Sequence, residues 1–134
     1  DKNEYCGHAD GMIRFIDNNN VIINGYIDYY SKCFKERFYN ALKENNINCR
    51  GKFKFSVKKK AAKKNWAYIN YLQTKDILLI PQLGIEEDLQ AIEQFNEFFP
   101  KYSKTNKIIP ILAAPIVEKG GALNCISWTI KQYK

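Results

Sequence analysis

One pattern of short elements occurs twice in this sequence, and it limits the fold more than any single motif. Residues 12–16 and 21–24 are β-rich runs separated by Asp17-Asn18-Asn19-Asn20, which tolerate turn geometry, so they predict a hairpin. Over 28–46, Tyr30, Phe34, Phe38 and Leu42 recur every four residues with charges between them, predicting an amphipathic helix capped by Asp28. Phe53, Phe55 and Val57 then alternate as in a half-buried strand. The order returns downstream. Residues 66–73 and 76–81 predict strands, 85–99 carries Ile85, Leu89, Ile92, Phe95 and Phe99 along one helical side, and 107–112 predicts a third strand. The copies repeat about every 56 residues, giving units of about 8–60 and 64–115, and such units bury their apolar faces by stacking on others of their kind. The fold class is therefore α/β, strand-strand-helix-strand twice over. After Gly120-Gly121, a turn signal, residues 120–131 predict one more strand, running from Cys125 to its end.

Composition sets the frame around this repeat. With 134 residues, 46% hydrophobic and 26% charged, the chain matches an ordinary globular domain, and 1–134 is expected to be a single region. No apolar run reaches the ~20 residues needed to span a bilayer. The opening Asp1-Lys2-Asn3-Glu4 has neither the basic start nor the apolar stretch of an export signal, so no membrane partner and a cytoplasmic location are expected. The single methionine is Met12, so the chain is expected to be processed or part of something longer.

The formal charge is +7, and its excess is local: Lys52, Lys54, Lys58, Lys59, Lys60, Lys63 and Lys64 fall within 52–64 with no acid among them. Interleaved with Phe53 and Phe55, the block reads first as a solvated face of a strand; nucleic-acid binding is the disfavoured second reading. The four cysteines, Cys6, Cys33, Cys49 and Cys125, form no Cys-x-x-Cys pair, and His8 is the one histidine, so neither a zinc site nor a redox motif is expected.

Two segments carry chemistry. In Cys6-Gly7-His8-Ala9-Asp10, residues i and i+2 of an extended stretch share a side, so His8 and Asp10 would form an acid-base and cation-binding pair. The plainer alternative is a surface histidine. Cys125 follows the flexible Gly120-Gly121-Ala122, where turn amides could hold a thiolate; a small structural cysteine is the alternative.

Gly7-His8-Ala9-Asp10-Gly11, the central Tyr68-Ile69-Asn70-Tyr71, and Gly120-Gly121-Ala122-Leu123-Asn124-Cys125-Ile126-Ser127-Trp128 share an order and spacing. In these the chain resembles the carboxy-terminal half of the agmatine deiminase and Porphyromonas-type peptidylarginine deiminase family. The resemblance implies a pentein-type α/β propeller, of which this chain would supply about two modules and the strand bearing the nucleophile. It implies hydrolysis of a guanidinium to a ureido group with loss of ammonia, chemistry expected to need no metal or organic cofactor. Cys125 would attack the guanidinium carbon, His8 would serve as acid and then base, and Asp10 would hold the guanidinium. Tyr68 and Asn70 would contact substrate or shape the pocket wall.

The sequence departs from that family at three points. Asn124 stands where agmatine deiminases have His, Ala122 stands in place of a third glycine, and no Arg-Asp-x-Gly-Pro segment supplies the opposing carboxylate. Agmatine, free arginine and peptidyl arginine stay open as substrates, and the missing amino-terminal half becomes the expected partner. A homo-oligomer is left open. The 134 residues alone are expected to be inactive, and a basic interaction module on a degenerate deiminase fold is the second reading.

Overall fold

A computed structural model describes residues 8–55, 65–128 and 130. Cys6, Val57, Lys58, Lys59, Lys60, Lys63 and Lys64 lie outside them, and so do the predictions made on those residues.

The twofold pattern is present as two three-stranded sheets of the same order. In the first, β1 (Ile13–Phe15) pairs antiparallel with β2 (Asn20–Asn24), and β2 pairs in parallel with β3 (Asn48–Phe53). In the second, β4 (Leu72–Gln73) pairs antiparallel with β5 (Leu78–Gln82), and β5 pairs in parallel with β6 (Ile108–Leu112). A parallel pair needs a long crossover. Helix α1 (Lys32–Glu44) supplies it in the first unit. In the second unit the crossover contains the helices α3 (Glu87–Phe98) and α4 (Pro100–Ser103). Two further short helices, α2 (Trp66–Ile69) and α5 (Ala114–Val117), precede β4 and follow β6.

Local chemistry sets most boundaries. Asp17 accepts from the amides of Asn19 and Asn20, closing the β1–β2 turn. The first helix starts later than predicted. A 3-10 turn at Gly25–Tyr29 intervenes, and Ser31, not Asp28, caps α1 by accepting from the Phe34 amide at 3.3 Å. Asp28 instead takes the Lys52 ammonium at 2.7 Å. Phe34, Phe38 and Leu42 line the inner face of α1, as their spacing predicts, and with Tyr30 just before the helix they pack against Val21, Ile23 and Ile27.

Three further expectations change. Residues 66–69 form α2 instead of a strand: Ala67, Tyr68 and Ile69 are buried one after another, so the period-2 pattern that makes a half-buried strand is missing. Leu89 of α3 points outward, 72% exposed, while Ala91 and Phe95 pack inward. The described part of 120–131 holds no strand, because its amides turn back on local and neighbouring carbonyls, as with Ser127 onto Asn124.

The units share one core. Phe53 of β3 lies 5.0 Å from Phe95 and 5.2 Å from Phe98 of α3, and Gly51 leaves the room that the Phe98 ring occupies. Gln94 of α3 bonds both the amide and the carbonyl of Lys54, at 2.6 and 2.8 Å. Arg14 of β1 sits over the Tyr71 ring at 4.3 Å.

Gly25 marks the tightest approach. A side-chain carbon there would overlap the Phe53 carbonyl, which is backbone and cannot swing aside. Gly25→Ala is expected to lower stability by about 1–3 kcal/mol, read as a lower urea midpoint with an unchanged slope.

Among the described residues, no helix is long and apolar enough to cross a membrane. Among them also, no group of three or more His, Cys, Asp or Glu is placed to hold a metal ion.

Candidate active site

Three side chains from distant parts of the sequence meet around one amide. Asn70 ends α2, its backbone amide returning to Ala67 at 3.0 Å, and it is fully buried. Its Nδ2 donates to Asp10 Oδ2 at 2.8 Å. Its Oδ1 accepts from the Asn124 amide at 3.1 Å and from the Cys125 thiol at 3.3 Å. The Asn70 carbonyl also takes the Asn124 amide, at 3.2 Å. Cys125 Sγ comes within 3.9 Å of Asp10 Oδ2, although 115 positions separate the two residues.

Each participant is held by its own segment. Asp10 lies in a turn closed by the amides of Met12 and Ile13 onto the Ala9 carbonyl, so the extended geometry used to pair it with His8 does not apply over 9–12. Asn24, buried, supports that turn by donating to the Gly11 carbonyl at 3.3 Å. On the other side, the turn that follows α5 places Gly120 in the left-handed region, φ 83°, a conformation that costs glycine little. The Gly120 and Gly121 amides return to Val117 and Ile116. Ala122 and Leu123 are then buried in the core, which pins the start of the turn that presents Cys125 to solvent.

Asp10 and Cys125 are exposed, so a ligand can reach both, whereas Asn70 beneath them is sealed from water. A carboxylate that accepts from a fixed amide donor is oriented to receive a planar cation. A thiol held beside it is placed to attack that cation. His8 is exposed and precedes the Asp10 turn.

Tyr68 is placed elsewhere. It is fully buried, stacked on Phe55 at 5.0 Å, and its hydroxyl donates to Asp88 Oδ1 at 2.7 Å. Burial, and after it the bond to Asp88, pushes that hydroxyl well above the usual phenol range, which keeps it a donor. Its contacts are structural, so it does not join the group around Asn70.

The other described cysteines differ from Cys125. Cys33 is exposed on α1. Burial pushes the Cys49 thiol up, away from the thiolate form. In the basic block, Lys52 is engaged by Asp28.

Residue-based reasoning missed Asp88 and Asn24. Asp88 looks in sequence like any acid in a first helical turn, a place that favours acids without burying them.

Comparisons with known proteins cover the same elements. The sequence profile of the Porphyromonas-type peptidyl-arginine deiminase family matches residues 1–130. A protein of Enterococcus faecalis with the provisional name agmatine deiminase is 36% identical over 61 residues, 46% of this chain and 16% of that protein. A Lactococcus lactis protein with the same provisional name is 33% identical over 61 residues, again 46% and 16%. Among solved structures, C. jejuni agmatine deiminase superposes with a TM-score of 0.59 at 19% identity, over 88% of this chain and 37% of that one. The agmatine deiminase of Enterococcus faecalis gives 0.57 at 22%, over 90% and 39%. This chain thus spans well under half the length of those structures, and they share its mixed α/β fold. With nearly its full length matched, the chain belongs to the Porphyromonas-type peptidyl-arginine deiminase family.

Proposed function

We propose that this chain is the cysteine-bearing part of a guanidine deiminase, converting a guanidinium to a ureido group with release of ammonia. The observation that carries the reading is the meeting of Asp10, Asn70 and Cys125 around one buried amide. Asp10 receives two N–H groups of the guanidinium and fixes the carbon beside the sulfur. The cation held by Asp10 lies beside the sulfur, which attacks as the nucleophile.

The thiolate forms a bond to the guanidinium carbon, giving a tetrahedral adduct. The C–N bond then breaks, ammonia leaves with a proton from His8, and a covalent thiouronium stays on Cys125. Water, deprotonated by His8, adds to the same carbon, and expulsion of the thiolate releases the ureido product. Agmatine, free arginine and peptidyl arginine all present the required group.

The chain is two modules of a propeller whose other modules complete the site. Ile109, Ile111, Leu112, Ile126 and Trp128 are exposed apolar residues, a surface suited to contact with further units of the same domain. Relatives with known structures are longer, consistent with a site shared between this chain and residues beyond it.

The test is ammonia release from agmatine, free arginine and doubly blocked arginine, comparing these 134 residues with the same sequence inside a complete domain. The complete domain is expected to release ammonia, and the 134 residues alone to release none. A complete domain inert on all three substrates would contradict the proposal.

A further inference from the structure

We propose that Asp88 is a positioning residue for the group formed by Asp10, Asn70 and Cys125, acting through the Tyr68 hydroxyl and α2. The effect expected on turnover rests on the deiminase reading; the effect expected on the Cys125 thiol does not.

Asp88 is buried and accepts four hydrogen bonds. Oδ1 takes the Tyr68 hydroxyl at 2.7 Å and the Leu83 amide at 2.8 Å; Oδ2 takes the amides of Gly84 at 2.7 Å and Ile85 at 3.1 Å. Three of these close the turn from β5 into α3, where Gly84 adopts φ 74°. The fourth reaches across to another element. Tyr68 belongs to α2, a helix of four residues with no side-chain cap at Asn65. So short a helix does not hold its own geometry, because one turn repays little of the entropy of fixing it. Its orientation comes from packing and from the Tyr68–Asp88 bond.

Asn70 is the residue after that helix, and its amide plane sets the direction of the bonds to Asp10, Asn124 and Cys125. A rotation of α2 is therefore passed to the sulfur. A buried carboxylate satisfied by four donors is a rigid anchor, and losing one donor leaves a buried acceptor under-satisfied.

The test is alkylation of each cysteine by iodoacetamide, followed by peptide mass spectrometry across pH, with Cys33 as internal reference. Among the groups that face the Cys125 sulfur are the Asp10 carboxylate and the Asn70 amide. Tyr68→Phe keeps the ring and removes only the hydroxyl. It is expected to change the Cys125 rate relative to Cys33 by about threefold or more and to displace its pH profile. The change should vanish when Asn70 is already Ser, since the relay then ends before the sulfur. Asp88→Asn should act in the same direction as Tyr68→Phe; if it does not fold, Tyr68→Phe decides. An unchanged Cys125 profile in folded Tyr68→Phe would overturn the proposal, and so would an equal change in the Asn70→Ser background. A complete domain that releases no ammonia would sink the deiminase reading while leaving this comparison valid. In an active domain, Tyr68→Phe should lower kcat with KM little changed.

Discussion

Under the proposed mechanism, Cys125→Ala in a complete domain is expected to reduce ammonia release to background, a loss of at least about a thousandfold, because the covalent intermediate would form on the sulfur that the change removes. The fold should not notice the change. Cys125 is exposed, and its thiol donates only weakly to Asn70, so stability should shift by no more than about 0.5 kcal/mol. Reading both quantities on one variant separates chemistry from folding. Retained activity with an intact fold would remove Cys125 from the reaction.

Asn70→Ala is expected to act on both. The side chain carries three bonds, to Asp10, Asn124 and Cys125, and it is sealed from water, so truncation removes those bonds and leaves a cavity. A stability loss of about 1–3 kcal/mol follows from the cavity and the lost bonds together. Activity should fall by about a hundredfold or more per folded molecule, since Asp10 and the sulfur would no longer be fixed relative to each other. Guanidine-denaturation midpoints and steady-state rates, measured on the same sample, check the two parts. An Asn70→Ala domain with normal turnover would show that the amide is not the hub described here.

The parts legible in the sequence share a physical reason. Tyr30, Phe34, Phe38 and Leu42 face one apolar layer, so the helical period appears directly in their spacing. The two sheets, with the same antiparallel-then-parallel order, were visible as a repeated sequence of element types. Residues 66–69 were misread because Tyr68 and Ile69 are good strand formers, while burial on every side erased the period that would have identified their conformation. The strand foreseen at Cys125 failed for a different reason: strand propensity says nothing about whether a neighbouring edge is present, and these amides found turn partners instead.

The site was legible only in part. Asp10 and Cys125 stand out in two separate segments of the sequence, and only the family resemblance joins them, since no local pattern links residues so far apart in the chain. The sequence leaves the role of Asn70 undecided, because its place as the shared partner arises only when the two segments fold onto α2. Asp88 left no sequence signal, because its burial follows from Gly84 and the amides around it.

The central claim is that Asp10 and Cys125 together recognise a planar cation and attack it. Alkylation by 2-chloroacetamidine, compared with neutral 2-chloroacetamide and resolved by peptide, tests this without requiring turnover. Cys125 should prefer the amidinium reagent over the neutral one by about tenfold or more relative to Cys33, and Asp10→Asn should remove that preference. Equal preference at Cys125 and Cys33, unaffected by Asp10→Asn, would contradict the account.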